Sequence, residues 1–462
     1  MSLARLNSPQ GRGVVLAAAL GSSIAFLDGT AVNVALPVLQ RELGVGIEGL
    51  QWTLDAYLLT MSAFLLLGGS LGDVFGQRRT FVLGVAWFAS ASVACGCVSS
   101  ALGLVLARAV QGVGAAILVP GSLAMLRTCL NPEDEGAAIG LWAGLSGVTT
   151  AVGPLLGGWL VQVASWRAIF FLNLPLAAVA IWAALRYLPA GQGRAGVKLD
   201  AAGATAAAVG IGGVTYALIE GPARGWTASP LVAAAVGVAG LLVFIPIERR
   251  PQAMLPLSLF RSRAFTAANL TTLAVYAGLN GALFLLTLAL QQSLGYSPLL
   301  AGAALVPITV LLLVLSPSAG RWAQAHGARF PLSVGPVLVA LGLLLFLRVQ
   351  QDSSYLDGIL PGVLVFGMGL AVTVAPLTGA VLSAVDASFA GIASGVNNTV
   401  ARVAGLLGVA AVPWAAGLTG LGSTLGPQTL LSGLHRAMGL CALAALAGGM
   451  VAALGLRAPA GR

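Results

Sequence analysis

Three ionisable residues stand where their neighbours carry no charge. Asp28 lies in LDGTAVNVALP (27–37), Asp55 in QWTLDAYLL (51–59) and Arg108 in the apolar tract after Leu104. Desolvation disfavours an ionised carboxyl and a nearby guanidinium favours it, so such a group can take up and release a proton as its surroundings change. That is ion-coupling chemistry, with no bond made or broken. A fourth charge, Arg402 in NNTVARVAG (397–405), has no obvious acid partner in its half of the chain.

The elements holding these residues must be membrane helices. With 58% hydrophobic and 8% charged residues over 462 positions, the surface must meet lipid. A bilayer core needs roughly 20 apolar residues per helical span. Fourteen spans fit, near 13–36, 51–71, 80–99, 102–126, 137–161, 168–188, 200–220, 229–247, 264–290, 299–317, 331–347, 357–379, 391–415 and 432–456. The dyad alternation of a membrane barrel is absent.

An even number of spans puts both termini on one side, and Lys/Arg favour the cytoplasm. With cytoplasmic termini, sixteen of the 23 Lys/Arg fall inside, five outside (Arg41, Arg167, Arg224, Arg348 and Arg436) and two are embedded (Arg108 and Arg402). The net charge of +9 is thus a topology signal, and no basic stripe suggests nucleic acid. The expected location is the cytoplasmic (inner) membrane. The first apolar stretch is too long for a signal peptide and lacks a small-residue cleavage site. Cys95, Cys97, Cys129 and Cys441 read as packing residues, and His326 and His435 lie too far apart to suggest a metal site.

The chain repeats. GSLGDVFGQRR (69–79) returns as GRWAQAHGARF (320–330), and QGVGAAILVP (111–120) as FGMGLAVTVAP (366–376). Six spans precede the loop 189–198, six follow 248–263, and two lie between. The reading is an all-α membrane protein with an N-terminal bundle (1–190), a linker carrying two inserted helices (191–261) and a C-terminal bundle (262–462). Duplicated bundles around a central site suit alternating access.

Five motifs, spread over the first half in order, resemble the major facilitator superfamily, and specifically its fourteen-span drug:proton antiporter branch. They are LDGTAVNVALP; Gly69-x-Leu71-x-Asp73-x-x-Gly76-x-Arg78-Arg79; Leu104-x-x-x-Arg108-x-x-Gln111-Gly112-x-Gly114; GPLLGG (153–158); and SWRAIFFLNLP (165–175). One departure is Thr149, where the antiporter motif usually has glycine. The resemblance implies two pseudo-symmetric six-helix bundles plus two inserted helices, and proton-coupled export of drugs. Physics gives the motifs work of their own. Pro154 removes a helix hydrogen bond while Gly153, Gly157 and Gly158 admit a neighbour, which suits a hinge and seal. Asp73, Arg78 and Arg79, with Gly69 and Gly76, can cap helix ends and form ion pairs that break as the bundles part. Tight packing without motion, and a static topology anchor, are the simpler alternatives.

Asp28 lies about 12 Å and Arg108 about 9 Å from the same membrane surface at 1.5 Å per residue, so the two can share a level. The expected mechanism has proton and cargo excluding one another at Asp28; an ion pair with Arg108 alone is the structural alternative. Asp55, about 6 Å deep, reads either as a snorkelling residue or as a second, more exposed proton site. Glu220 reads as peripheral. With few acids in the C-terminal spans, the cavity should be apolar, with polar contacts from Asn33, Tyr57, Trp142, Tyr276, Asn280, Gln291, Asn397, Asn398 and Arg402. That suits hydrophobic neutral or monocationic compounds. An exporter of one endogenous metabolite or antibiotic, or a lipid or glycolipid translocase, are the rival readings. No nucleophile-and-base pairing, phosphate loop or ligand set suggests an enzyme or a cofactor. Small molecules, protons and lipid are the expected partners, and the working unit a monomer.

Overall fold

The structure is a computed structural model that describes residues 4–190, 199–250, 254–386, 389–420 and 425–456, the side chain of Asp73 excepted. Fourteen membrane-length helices account for most of it. They are α1 (Pro9–Leu43), α2 (Ile47–Phe75), α3 (Gln77–Cys97), α4 (Ala101–Cys129), α5 (Pro132–Val163), α6 (Arg167–Tyr187), α7 (Ala201–Arg224), α8 (Ala228–Ile247), α9 (Arg263–Gln292), α10 (Pro298–His326), α11 (Arg329–Leu345), α12 (Leu360–Ser383), α13 (Ala390–Ala415) and α14 (Pro427–Gly455). Every expected span falls on one of them.

Lipid offers no partners to backbone groups, so each helix must satisfy its own, and its first N–H groups need caps. Ser8, Ser100, Ser262 and Ser297 supply them at α1, α4, α9 and α10, with Pro9 and Pro298 following where a missing N–H costs nothing. The internal repeat is visible in the backbone. Gly76 turns α2 into α3 at φ 89°, and Gly327, its counterpart, turns α10 into α11 at φ 90°. Only glycine takes that conformation without strain.

α1–α6 form one bundle and α9–α14 a second, while α7 and α8 pair with each other and α7 lies against α2 and α13. The segment before α1 and the end of α14 meet one side, here the terminal face: Ala4 pairs with Leu130 after α4, and Arg263 donates to the Leu454 carbonyl at the end of α14. The opposite side is the far face.

The two bundles share a core in one half only. Toward the far face, Leu36, Leu50 and Trp166 of the first bundle join Phe284, Phe346 and Leu434 of the second in a single buried cluster. Toward the terminal face the core divides. Val14, Phe81 and Met125 belong to a cluster drawn from the first bundle alone, and Phe265, Leu332 and Val381 to one drawn from the second. Along α1 the division falls between Ala25 and Leu27, along α2 between Leu54 and Tyr57, and along α13 between Val396 and Val409. The bundles therefore close on the far side and part toward the terminal side.

Candidate transport site

Asp28, Asp55 and Arg402 all lie at the level where the shared core divides. Asp28, on α1, is completely buried inside the first bundle. Its carboxylate pairs with the Arg108 guanidinium of α4 and accepts from Gln111 Nε2 at 2.9 Å and Asn173 Nδ2 of α6 at 3.0 Å. Arg108 also donates to Gln111 Oε1 at 2.7 Å and to the Thr53 carbonyl at 3.2 Å, and its guanidinium lies 4.3 Å from the Tyr57 ring centre. Asn173 donates on to Ser92 Oγ at 3.0 Å, which donates to the Phe170 carbonyl at 2.8 Å. A buried ion pair survives when its remaining hydrogen-bonding groups are met, and here Gln111 and Asn173 meet those of the carboxylate.

Sharing of a level by Asp28 and Arg108 is therefore realised as contact. The two amides completing the site, Gln111 and Asn173, lie inside the motifs around Arg108 and SWRAIFFLNLP, and nothing in their spacing sets them apart from the other amides of the apolar spans. Asp28 is closed off from the cleft on the terminal side by this shell. In this conformation its carboxylate is fully buried, in contact with Arg108, Gln111 and Asn173.

Asp55 is neither a snorkelling residue nor an exposed site. It is completely buried on α2, and neither carboxyl oxygen has a hydrogen-bond partner among the described residues. One turn away, Gln51 Nε2 donates to the carbonyls of Val409 at 2.7 Å and Ala410 at 3.0 Å on α13. Nothing compensates a negative charge at Asp55, whereas Asp28 has a full set of donors and a cation.

Arg402 reaches from α13 toward the first bundle. Its guanidinium stands 5.4 Å from the Phe26 ring centre of α1, with the Tyr57 and Tyr276 side chains near it. It forms no ion pair among the described residues; the four pairs there are Arg108–Asp28, Arg127–Glu135, Arg167–Glu42 and Arg224–Glu220.

The remaining cavity candidates divide. Asn33 donates to the Gly29 carbonyl and Asn280 to the Tyr276 carbonyl within their own helices, and both stay partly exposed. Trp142 donates to Ser22 Oγ at 3.0 Å, and Asn398 is exposed on α13. Three assignments change. Gln291 donates to the Val34 carbonyl at 2.9 Å, tying the bundles together in the far-face core. Asn397 donates to Thr272 Oγ1 at 2.7 Å and Asn269 Oδ1 at 3.2 Å within the second bundle. Tyr57 is buried beneath Arg108 with its hydroxyl on the Ala25 carbonyl. Each has spent its polar group on packing.

The glycines of α5 face two ways. A Cβ at Gly153 would strike Thr30 and one at Gly157 Ala31, both on α1, whereas one at Gly158 would strike Pro298 and Leu299 of α10. The Pro154 carbonyl faces Gly302 of α10 just as closely. α5 thus seals the far half against the second bundle. Thr149, the departure from the motif, donates to Ser23 Oγ of α1 at 2.9 Å. At the terminal face, Gly69 packs near Pro120, and Arg78 donates to the Leu188 carbonyl after α6 at 3.4 Å. Arg79 is exposed, and neither arginine forms an ion pair among the described residues; the Asp73 side chain lies outside them. Glu220 is not peripheral. Buried at 7% exposure, it accepts from Trp52 Nε1 of α2 at 2.8 Å and pairs with Arg224 at 2.6 Å, anchoring the inserted helices to the first bundle.

Two bundles that close on one side, part on the other and carry ionisable residues at the level where their core divides define a membrane transporter of small molecules. The chain belongs to the Major Facilitator Superfamily, whose profile matches residues 18–409. It is 36% identical over 399 residues to the multidrug resistance protein Stp of Mycobacterium tuberculosis, covering 86% of this chain and 74% of that one. It is 35% identical to the tetracenomycin C resistance and export protein of Streptomyces glaucescens, over 86% and 74%. In fold it resembles a bacterial homologue of the human lysosomal transporter Spinster, described as inward-facing and unoccupied, with TM-score 0.66, 16% identity, and 98% and 100% of the two chains covered.

Proposed function

We propose that this protein is a proton-coupled antiporter that exports hydrophobic small molecules, drugs or antibiotics among them, across the cytoplasmic membrane by alternating access. The observation that carries the reading is the common level of Asp28, Asp55 and Arg402 with the line where one core becomes two. Both termini are cytoplasmic in this account, on the Lys/Arg bias, so the cleft opens inward. Residues 1–190 and 262–462 are the moving bundles, and 191–261 carries the inserted pair.

Proton and cargo are coupled through Arg108. Protonating Asp28 removes the charge that holds the guanidinium and frees Arg108 to shift against Tyr57, whose helix bears the hinge level. Asp55, with no donor, carries its own proton while the far face is closed. Parting of α2 from α13 would let it ionise. The motif residues Gly153, Pro154, Gly157 and Gly158 keep the far side sealed meanwhile.

An exporter dedicated to one compound is a second reading, supported by a relative named for a single antibiotic. The test for both is transport in proteoliposomes under an imposed pH gradient with a panel of antibiotics. A cargo-dependent collapse of the gradient supports antiport, and the number of active compounds separates the two readings. Cargo movement indifferent to the gradient would remove the proton from the account.

A further inference from the structure

We infer that the cargo is acidic: a planar amphiphile whose carboxylate, phenolate or enolate group is received by Arg402 at the apex of the cleft. This rests on the exporter reading above and replaces the expectation of a monocation.

Arg402 lies on α13 between Val396, which belongs to the second bundle's own core, and Val409, which belongs to the shared one. Phe26 and Tyr57 pack with the first bundle's terminal-side core, Tyr276 with that of the second. The guanidinium therefore sits where the two walls meet. It is partly exposed, and neither it nor the Tyr276 hydroxyl forms a hydrogen bond among the described residues. Both of these free groups can donate, and the guanidinium can do nothing else.

No carboxylate at this level is available to a cation. Asp28 is saturated by Arg108, Gln111 and Asn173, and Asp55 is buried. The acids of the second bundle's stretch are Asp352, Asp357 and Asp386, all near helix ends away from the apex. A cation reaching this point would meet Arg402 with nothing to offset the repulsion. An oxyanion would meet a planar fork suited to bidentate pairing. Phe26, already beside that fork, would offer its ring to an aromatic body. Charge bookkeeping agrees: export of a monoanion against an entering proton is favoured twice by an interior-negative potential, at about 2.3 kcal/mol per charge per 100 mV.

The experiment compares two dyes on one xanthene scaffold, fluorescein as the acid and rhodamine 123 as the monocation, by fluorescence polarisation with purified full-length protein. Wild type is expected to bind fluorescein at least tenfold more tightly. Arg402→Gln should weaken fluorescein binding by roughly tenfold to a hundredfold, the worth of a charge-assisted hydrogen bond, and leave rhodamine 123 unchanged or improved. Arg402→Lys should retain the preference. Wild type binding rhodamine 123 as tightly as fluorescein would overturn the assignment without any variant, as would an unchanged ratio in a folded Arg402→Gln protein. In proteoliposomes, a pH gradient that drives rhodamine 123 and not fluorescein sinks the acidic cargo and leaves the exporter standing. Fluorescein preference with gradient-independent flux leaves the cargo class standing and removes the proton coupling.

Discussion

Arg108 and Asp28 form an ion pair sealed within one bundle, and the arginine of that pair also covers the ring of Tyr57 at 4.3 Å. One residue thus links a buried carboxylate to a ring at the level where the shared core divides. Asp28→Asn removes the negative partner and strands a buried guanidinium, an uncompensated charge worth roughly 3–5 kcal/mol of lost stability. Thermal unfolding in detergent should show that loss. Pairing Asp28→Asn with Arg108→Gln should recover most of the stability and none of the proton-driven transport. Recovered transport in the double variant would reduce the pair to a structural element.

A methyl at Gly302 would strike the Pro154 carbonyl, and one at Gly158 would strike α10 in turn. Gly158→Ala or Gly302→Ala should therefore push the bundles apart on the far side and shift the population toward the outward-open form. Leu39 lies in the shared core at 1% exposure. With the four native cysteines replaced by alanine, maleimide labelling of Leu39→Cys should accelerate in either glycine variant. About 1.4 kcal/mol of shift corresponds to a tenfold change in the open fraction. Unchanged labelling would show that α5 and α10 are merely packed.

Much of this was legible in the sequence because charge and glycine repeats are informative in lipid. The fourteen helices follow from apolar length, and the duplication predicted by Gly76 and Gly327 is repeated in their matching φ angles. The depth arithmetic that set Asp28 beside Arg108 needed only the helix rise. The side chains that complete the site were harder to see. Gln111 and Asn173 hold Asp28, whereas Gln291 and Asn397 hold neighbouring helices, yet all four are amides in apolar tracts. Which way such a group points depends on helix rotation, and helices that are apolar on all sides carry no stripe to reveal it. Asp55 was misread for the same reason: depth along α2 was calculable, but not its burial toward the interior.

Glu220 joins Trp52 and Arg224 at the far end of the inserted pair. Replacing it by Ala leaves the half-buried indole N–H of Trp52 without its acceptor, at a cost of about 1 kcal/mol. Glu220→Ala should lower the unfolding temperature and loosen α7 from α2, seen as faster hydrogen exchange at the far end of α7. Equal exchange in variant and wild type would deny α7 its anchoring role.

At the opposite end of that pair, Glu248 is buried beside Asp200 with one carboxyl oxygen on the Leu255 N–H at 2.7 Å and the other unpartnered. Burial above all, with Asp200 adding, pushes its carboxyl up to about 7, against the pull of the Leu255 N–H. A carboxyl raised in the folded state favours folding fully below its ordinary value, and that advantage fades as pH rises through the folded value. Stability should therefore decline between about pH 5 and pH 8, and Glu248→Gln should flatten that decline. An equally steep profile in the variant would assign the pH dependence elsewhere.

The central claim is that proton occupancy at Asp28, relayed by Arg108, controls transport through the cleft. Its most direct test is the rate at which an acid-outside pH gradient collapses in proteoliposomes when exported compound is supplied inside, compared between wild type and a folded Asp28→Asn protein. The account predicts rapid, cargo-dependent collapse in wild type and none above leakage in the variant. Collapse at the wild-type rate in Asp28→Asn would contradict it.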